Sequence, residues 1–135
     1  MKATIIIEKG IDGTYDVRTH EGTPINYMVL GQGDTVEEAL EDFKNTYEEI
    51  REVYAEQGKE FKELTELEYV YDLTAFLQYY NQFISLVGLS KLTGINKSQL
   101  SHYIQGFRNP SKKTAEKIQT ALYQFADELK SVHLV

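Results

Sequence analysis

The sequence predicts an α+β protein built as two modules, a β-β-β-α-β domain over residues 1–72 followed by an all-α domain over residues 73–135. Three observations carry this. Short runs of alternating apolar and polar residues recur before residue 72, one long stripe at helical spacing interrupts them between Val36 and Tyr54, and only helical spacing remains after Leu73. At 135 residues each module has a modest core.

The first strand is expected over Ala3 to Glu8, which is rich in β-branched residues. Asp12-Gly13 marks a turn between Gly10 and Thr14, and Tyr15 to His20 alternates as the second arm of a hairpin. A third strand is expected over Asn26 to Leu30, ending at Gly31-Gln32-Gly33. Thr35 and Glu38 then form a capping box, in which Thr35 caps the helix and Glu38 reaches back to its amide. Val36, Leu40, Phe43, Tyr47, Ile50 and Tyr54 form the apolar stripe of that helix, carboxylates occupy the other faces, and Gly58 stops it. The fourth strand spans about Leu64 to Asp72, with Leu67, Tyr69 and Tyr71 alternating against Glu66, Glu68 and Val70.

In the second module Leu73, Phe76, Leu77, Tyr80, Phe83 and Ile84 make the packing face of a helix. Next comes ISLVGLSKLTGINKSQLSHYIQGFRNPS, residues 84–111, which reads as a helix-turn-helix. Ser85 caps a helix from Leu86 to Thr93, Ser90 is small where the helices cross, Gly94 meets a turn that needs positive φ, and Asn96 caps a second helix from Lys97 to Gln105. Leu100, Tyr103 and Ile104 face inward, while Lys97, Ser98, Gln99, Ser101, His102 and Gln105 face solvent. That outer face is free of acids and rich in amide and hydroxyl groups, the chemistry that reads base edges. Ser111 caps a last helix whose stripe, Ala115, Ile118, Leu122, Phe125 and Leu129, belongs to a core or a dimer seam.

Charge separates the modules. Residues 1–72 hold seven Lys or Arg against eighteen Asp or Glu, a net of −11, and residues 73–135 hold seven against three, a net of +4. No acid occurs from Leu73 to Ala115. The basic module suits a phosphate backbone and the acidic one is repelled by it, so the two are expected to have separate partners. Without cysteine there is no disulfide framework and no thiolate chemistry. His20, His102 and His133 stand singly, which offers no zinc set. Turn and cap roles account for Asp12 and Asp34. No catalytic residue, metal or cofactor is therefore assigned, and the chain is read as a non-enzyme. With no signal peptide or membrane-length apolar run, it is expected to be cytoplasmic.

The strand order, GDTVEEAL at Gly33 to Leu40 and LSKLTGINKSQLSHYIQG at Leu89 to Gly106 together resemble HicB-like antitoxins. Their first domain resembles a truncated ribonuclease H fold, and many carry a phage-repressor-type helix-turn-helix as the second. The resemblance implies an antitoxin that neutralises a small basic ribonuclease, the HicA toxin, through its acidic domain and represses its own operon through the other. Which residues would hold the toxin is left open. The alternative is a stand-alone transcriptional regulator whose first domain senses a ligand or oligomerises.

Base contacts are expected from Lys97, Ser98, Gln99, Ser101 and His102. Repressor-type modules often place glutamine where Leu86 stands here, so the phosphate contacts shift to Arg108, Asn109, Lys112 and Lys113. A single helix-turn-helix reads one half-site of double-stranded operator DNA, which implies a homodimer, and the apolar tail Val132, Leu134 and Val135 is assigned to its interface.

Overall fold

The computed structural model describes residues 2–106 and 109–135. The chain is α+β and forms two compact units, residues 1–79 and 80–135. The first contains β1 (Lys2–Lys9), β2 (Tyr15–Thr19), β3 (Leu30–Gly33), α1 (Val36–Glu56) and β4 (Glu66–Tyr71), in the expected β-β-β-α-β order, and then α2 (Leu73–Tyr80). Sheet order is β3-β2-β1-β4. β1 and β2 form an antiparallel hairpin with Ile7 opposite Val17, β3 pairs antiparallel with β2 through Val17 and Gly31, and β4 runs parallel to β1 with Tyr69 beside Ile5. A parallel neighbour needs a crossover, and α1 supplies it.

Alternation sorts the sheet into two faces. Ala3, Ile5, Ile7, Tyr15 and Val17 point to one side, where Val29, Val36, Ala39, Phe43 and Ala75 complete the core. Two strand expectations change. The third strand begins at Leu30 rather than Asn26 and includes both glycines expected to end it. Tyr27 leaves the sheet line to stack on Phe61, with ring centroids 4.7 Å apart, and Tyr54 meets both rings edge-on. Val29 still exchanges bonds with Thr19: the Thr19 N–H donates to its carbonyl at 3.2 Å, and its own N–H donates to Thr19 Oγ1 at 3.3 Å. The glycines remain extended because α1 presses directly on them, so a methyl group at Gly31 would lie 2.4 Å from the Phe43 nitrogen and one at Gly33 2.6 Å from the Ala39 nitrogen.

Local signals place the remaining first-unit elements. Asp12 accepts hydrogen bonds from the Thr14 hydroxyl at 2.7 Å and amide at 3.0 Å, which hold its carboxyl below the usual range, and Gly13 takes φ +87° to complete the turn. Thr35 Oγ1 accepts the Glu38 N–H at 3.1 Å, while the Glu38 carboxylate accepts from the Asp34 amide at 3.0 Å, one residue earlier than the expected Thr35 amide. The long return from α1 to β4 is clamped by aromatic packing: Phe61 sits among Tyr27, Tyr47 and Tyr54, with the Arg51 guanidinium 5.3 Å from the Tyr47 ring centre and 3.2 Å from Glu63. Burial in this cluster pushes the Tyr27 hydroxyl up to about 12.

α2 belongs with the sheet. Asp72 Oδ1 accepts the Ala75 N–H at 2.7 Å while Oδ2 accepts the Lys9 N–H at 2.9 Å, Ala75 enters the core, and Gln78 Oε1 accepts the otherwise orphan Val36 N–H at the start of α1. The compact units therefore divide seven residues beyond the change in composition at 72/73. Residues 73–79 carry no charge, so the nets of −11 and +4 hold for the units as well.

The second unit contains α3 (Leu86–Thr93), α4 (Lys97–Ile104) and α5 (Lys112–Lys130). The helix before the motif is shorter than its apolar spacing implied. It ends at Tyr80, whose carbonyl accepts the N–H groups of both Phe83 and Ile84 at 2.9 Å, and Phe83 is 66 % exposed, its ring centre 6.1 Å from that of Tyr80. Among the described residues no helix is long and apolar enough to cross a membrane.

Candidate nucleic-acid interface

The turn between α3 and α4 is built by side chains that satisfy its backbone. Ser85 Oγ accepts the Gly88 N–H at 3.0 Å and starts α3. Gly94 closes it in the left-handed region at φ +75°, donating its N–H to the Ser90 carbonyl at 2.8 Å. Ser90 does more than stay small, since its hydroxyl donates to the Ile95 carbonyl at 2.6 Å. Thr93, not anticipated as a turn residue, is buried, donates to the Leu89 carbonyl at 2.8 Å and accepts the Ile95 N–H at 3.2 Å. Ile95 plugs the turn from beneath, and Asn96 Oδ1 accepts the Ser98 N–H at 2.7 Å to start α4. The Ser90 and Thr93 hydroxyls and the Ile95 N–H and carbonyl thus each have a protein partner, which makes the α3–α4 corner rigid.

That rigidity fixes which face of α4 is offered. Leu100 and Tyr103 are buried with Leu89, and Ile104 is half-buried at the end of the helix. Lys97, Ser98 and His102 are exposed, Gln99 and Ser101 half-buried, and Gln105 exposed as the C-cap residue. The structure therefore puts all five expected base-reading residues on one short helix, with Gln99 held differently from the rest: its amide Nε2 donates to the Tyr103 hydroxyl at 2.7 Å. The buried tyrosine sets the orientation of that amide, leaving its oxygen and second N–H to an external partner.

The expected phosphate set is partly placed. Ser111 Oγ accepts the Thr114 N–H at 3.1 Å, which starts α5 with Lys112 and Lys113 exposed in its first turn. Two cations at the positive end of a helix dipole cost stability unless an anion lies across from them, and here the first-turn amides point the same way. Asn109 is exposed just before them. Arg108 lies outside the described residues. Among the described residues neither Lys97, Lys112 nor Lys113 makes an ion pair, so their charge is available to a partner. Among the described residues no three His, Asp or Glu gather as a cation site, and Asp12 and Asp34 hold the turn and cap bonds described above.

No curated protein and no solved structure matches the chain. Residues 84–122, from Ile84 through the first half of α5, match the helix-turn-helix family model, so this segment is a DNA-binding helix-turn-helix domain of the phage-repressor type, as transcriptional regulators use.

Proposed function

We propose that the chain is an antitoxin of the HicB type, which represses its own operon through the second unit and neutralises a small basic ribonuclease through the first. The observation that carries the reading is the coincidence of charge with structure. A unit of net −11 is followed in the chain by a unit of +4, with residues 73–79 at the end of the first uncharged, so each can hold a partner that the other repels. The β-β-β-α-β order of the first unit is the order that resemblance to this family implies, and the carboxylates lining the exposed positions of α1 suit a basic protein. The first unit is read as a non-enzymatic binding domain, and promoter binding puts the protein in the cytoplasm. On the operator, Lys97, Ser98, Gln99, Ser101 and His102 read bases, and Asn109, Lys112 and Lys113 grip phosphates, with Arg108 assigned to the same grip.

The DNA contacts are separable in a salt titration. Lys112→Ala weakens binding to every sequence and lowers the slope of log K against log salt by about one, whereas Gln99→Ala costs roughly 1–3 kcal/mol and relaxes one base position. Parental behaviour of both variants would refute the assignments. The antitoxin role is tested with the full chain and the product of the adjacent reading frame. The expected result is a co-purifying small basic ribonuclease whose activity the chain suppresses, with suppression unchanged by Lys112→Ala. A chain that binds operator but leaves the neighbour's ribonuclease active, or has no such neighbour, favours a stand-alone regulator whose first unit senses a ligand or oligomerises.

A further inference from the structure

The two edges of the sheet are not alike. β3 is short, two of its residues are glycines under α1, and its Gln32 N–H is already taken by Asp42 Oδ2 at 2.9 Å. β4 pairs with β1 alone, in a parallel register unbroken from Glu66 beside Lys2 to Tyr71 beside Ile7, and among the described residues no strand lies beyond it. Its six residues, about 20 Å at 3.3 Å per residue, contain no proline, lysine or glycine and no bulge, so alternate N–H and C=O groups point away from the sheet. Both faces of this edge are open as well. Leu67 and Tyr69 on the core side and Val70 on the other are all more than two-fifths exposed. Glu66 and Glu68 share the face of Val70, are exposed and make no ion pair among the described residues, and no lysine or arginine occurs from Glu63 to Ser90.

We infer that β4 is the docking edge of the first unit, and that its occupant is an extended segment of a basic protein, added to the sheet as one more strand. Lysine or arginine of that segment lies across from Glu66 and Glu68, and apolar side chains lie across from Leu67 and Tyr69. Main-chain hydrogen bonds supply the affinity of such an addition and the alternating side chains its specificity. Open edges are ordinarily blunted by lysine, proline or a bulge, whereas β4 is blunted by two carboxylates alone, which repel an acidic strand and attract a basic one. The same carboxylates disfavour a second copy of this chain. A two-fold antiparallel pairing of β4 with itself sets residues of one face opposite each other. Centred on Leu67, Glu68, Tyr69 or Val70, it places Glu66 against Glu68, Glu68 against Glu68, Glu66 against Asp72, or Glu68 against Asp72, respectively. Like charges directly opposite destabilise a strand pair, and a basic strand turns each of these positions into an attraction. The inference rests on the antitoxin reading for the protein that supplies the strand and on the open edge for where it docks.

The probe is a synthetic peptide of alternating lysine and valine, acetylated and amidated at its ends and titrated into the isotope-labelled full chain. Binding is expected to slow hydrogen exchange at alternate amides of β4, and N-methylation along one edge of the peptide, which keeps its charge but removes its donors, is expected to abolish it. Glu68→Lys, at an exposed position that leaves the pairing with β1 in place, is expected to bind the peptide about tenfold more weakly. Glu41→Lys makes the same change of charge at an exposed position of α1, which packs on the β3 side of the sheet, and is expected to stay within about twofold of the parent. The ribonuclease of the adjacent reading frame is expected to escape suppression by Glu68→Lys and to remain suppressed by Glu41→Lys. Parental peptide binding by Glu68→Lys, equal losses in the two variants, undiminished binding of the N-methylated peptide, or protection of β4 that rises with the concentration of the chain alone overturns the docking edge. A ribonuclease suppressed as well by Glu68→Lys as by the parent overturns β4 as its dock and leaves the antitoxin reading standing. Peptide bound along β4 of a chain that suppresses no neighbouring ribonuclease overturns the antitoxin reading and leaves the edge standing.

Discussion

Gly31→Ala is expected to destabilise the first unit by about 3 kcal/mol, at the upper end of what overpacking costs. The new methyl group would lie 2.4 Å from the Phe43 nitrogen, 2.5 Å from the Ala39 carbonyl oxygen and 2.7 Å from the Phe43 Cα. All three are backbone atoms of one helix, so no change of rotamer relieves the contact. α1 would have to lift from β3, and lifting it loosens Ala39 and Phe43 in the core and stretches the 2.9 Å bond from the Gln32 N–H to Asp42 Oδ2. Urea unfolding followed by amide resonances of each unit should show an earlier transition for residues of the sheet and α1 and an unchanged one for α3 to α5. Gly22→Ala is the matched control. Its nearest neighbours at 3.2 and 3.3 Å are His20 side-chain atoms, which can turn aside at the cost of the exposed 3.0 Å bond that Nδ1 accepts from the Gly22 N–H, so it should lose far less than Gly31→Ala. A parental transition for Gly31→Ala would mean that the helix does not rest on the strand as closely as these distances require.

The same glycine marks where local reading of the sequence stops. Gly31-Gln32-Gly33 looks like the end of a strand because glycine weakens strands locally, yet here it is the strand, made so by helix residues five to twelve positions later in sequence. Asn26 to Leu30 alternates like a strand and is mostly something else, because Tyr27 finds Phe61 thirty-four positions later. By contrast, signals complete within four or five residues held: Asp12-Gly13 at the hairpin, Thr35 and Glu38 at α1, Ser85, Gly94 and Asn96 around the motif, and Ser111 at α5. The helix-turn-helix was legible for that reason, since its geometry is almost wholly local. Thr93 and the Gln99–Tyr103 bond escaped notice because a threonine or glutamine at those positions has an equally ordinary solvent-facing use. Tertiary coverage is the other blind spot. β4 alternates as expected, yet Leu67 and Tyr69 on its core side remain 42 % and 49 % exposed, since α1 packs over β2 and β3 and leaves this edge open.

Leu100→Ala is expected to cost the second unit roughly 2–5 kcal/mol, the range for a fully buried leucine truncated in a packed core. Leu100 is 0 % exposed and sits where α4 packs on α3; among the described residues the other buried apolar side chains of this unit are Leu89, Ile95, Tyr103 and Ile118. A unit this small has little stability to lose. For residues 80–135 the usual 0.05–0.15 kcal/mol per residue amounts to about 3–8 kcal/mol in all, so one substitution removes from roughly a quarter to all of it. The loss should therefore appear as function: operator binding falls steeply with temperature because the folded fraction of the reader falls, while the first unit unfolds at the parental urea concentration and any toxin held there stays suppressed. Gln99→Ala provides the contrast, since it removes a contact with DNA and leaves Leu100 and the α3–α4 corner in place. If Leu100→Ala bound operator with parental affinity across the temperature range, α4 would have to be held by something other than this core, and the rigid corner of Ser90, Thr93 and Asn96 would be the only remaining source of its orientation.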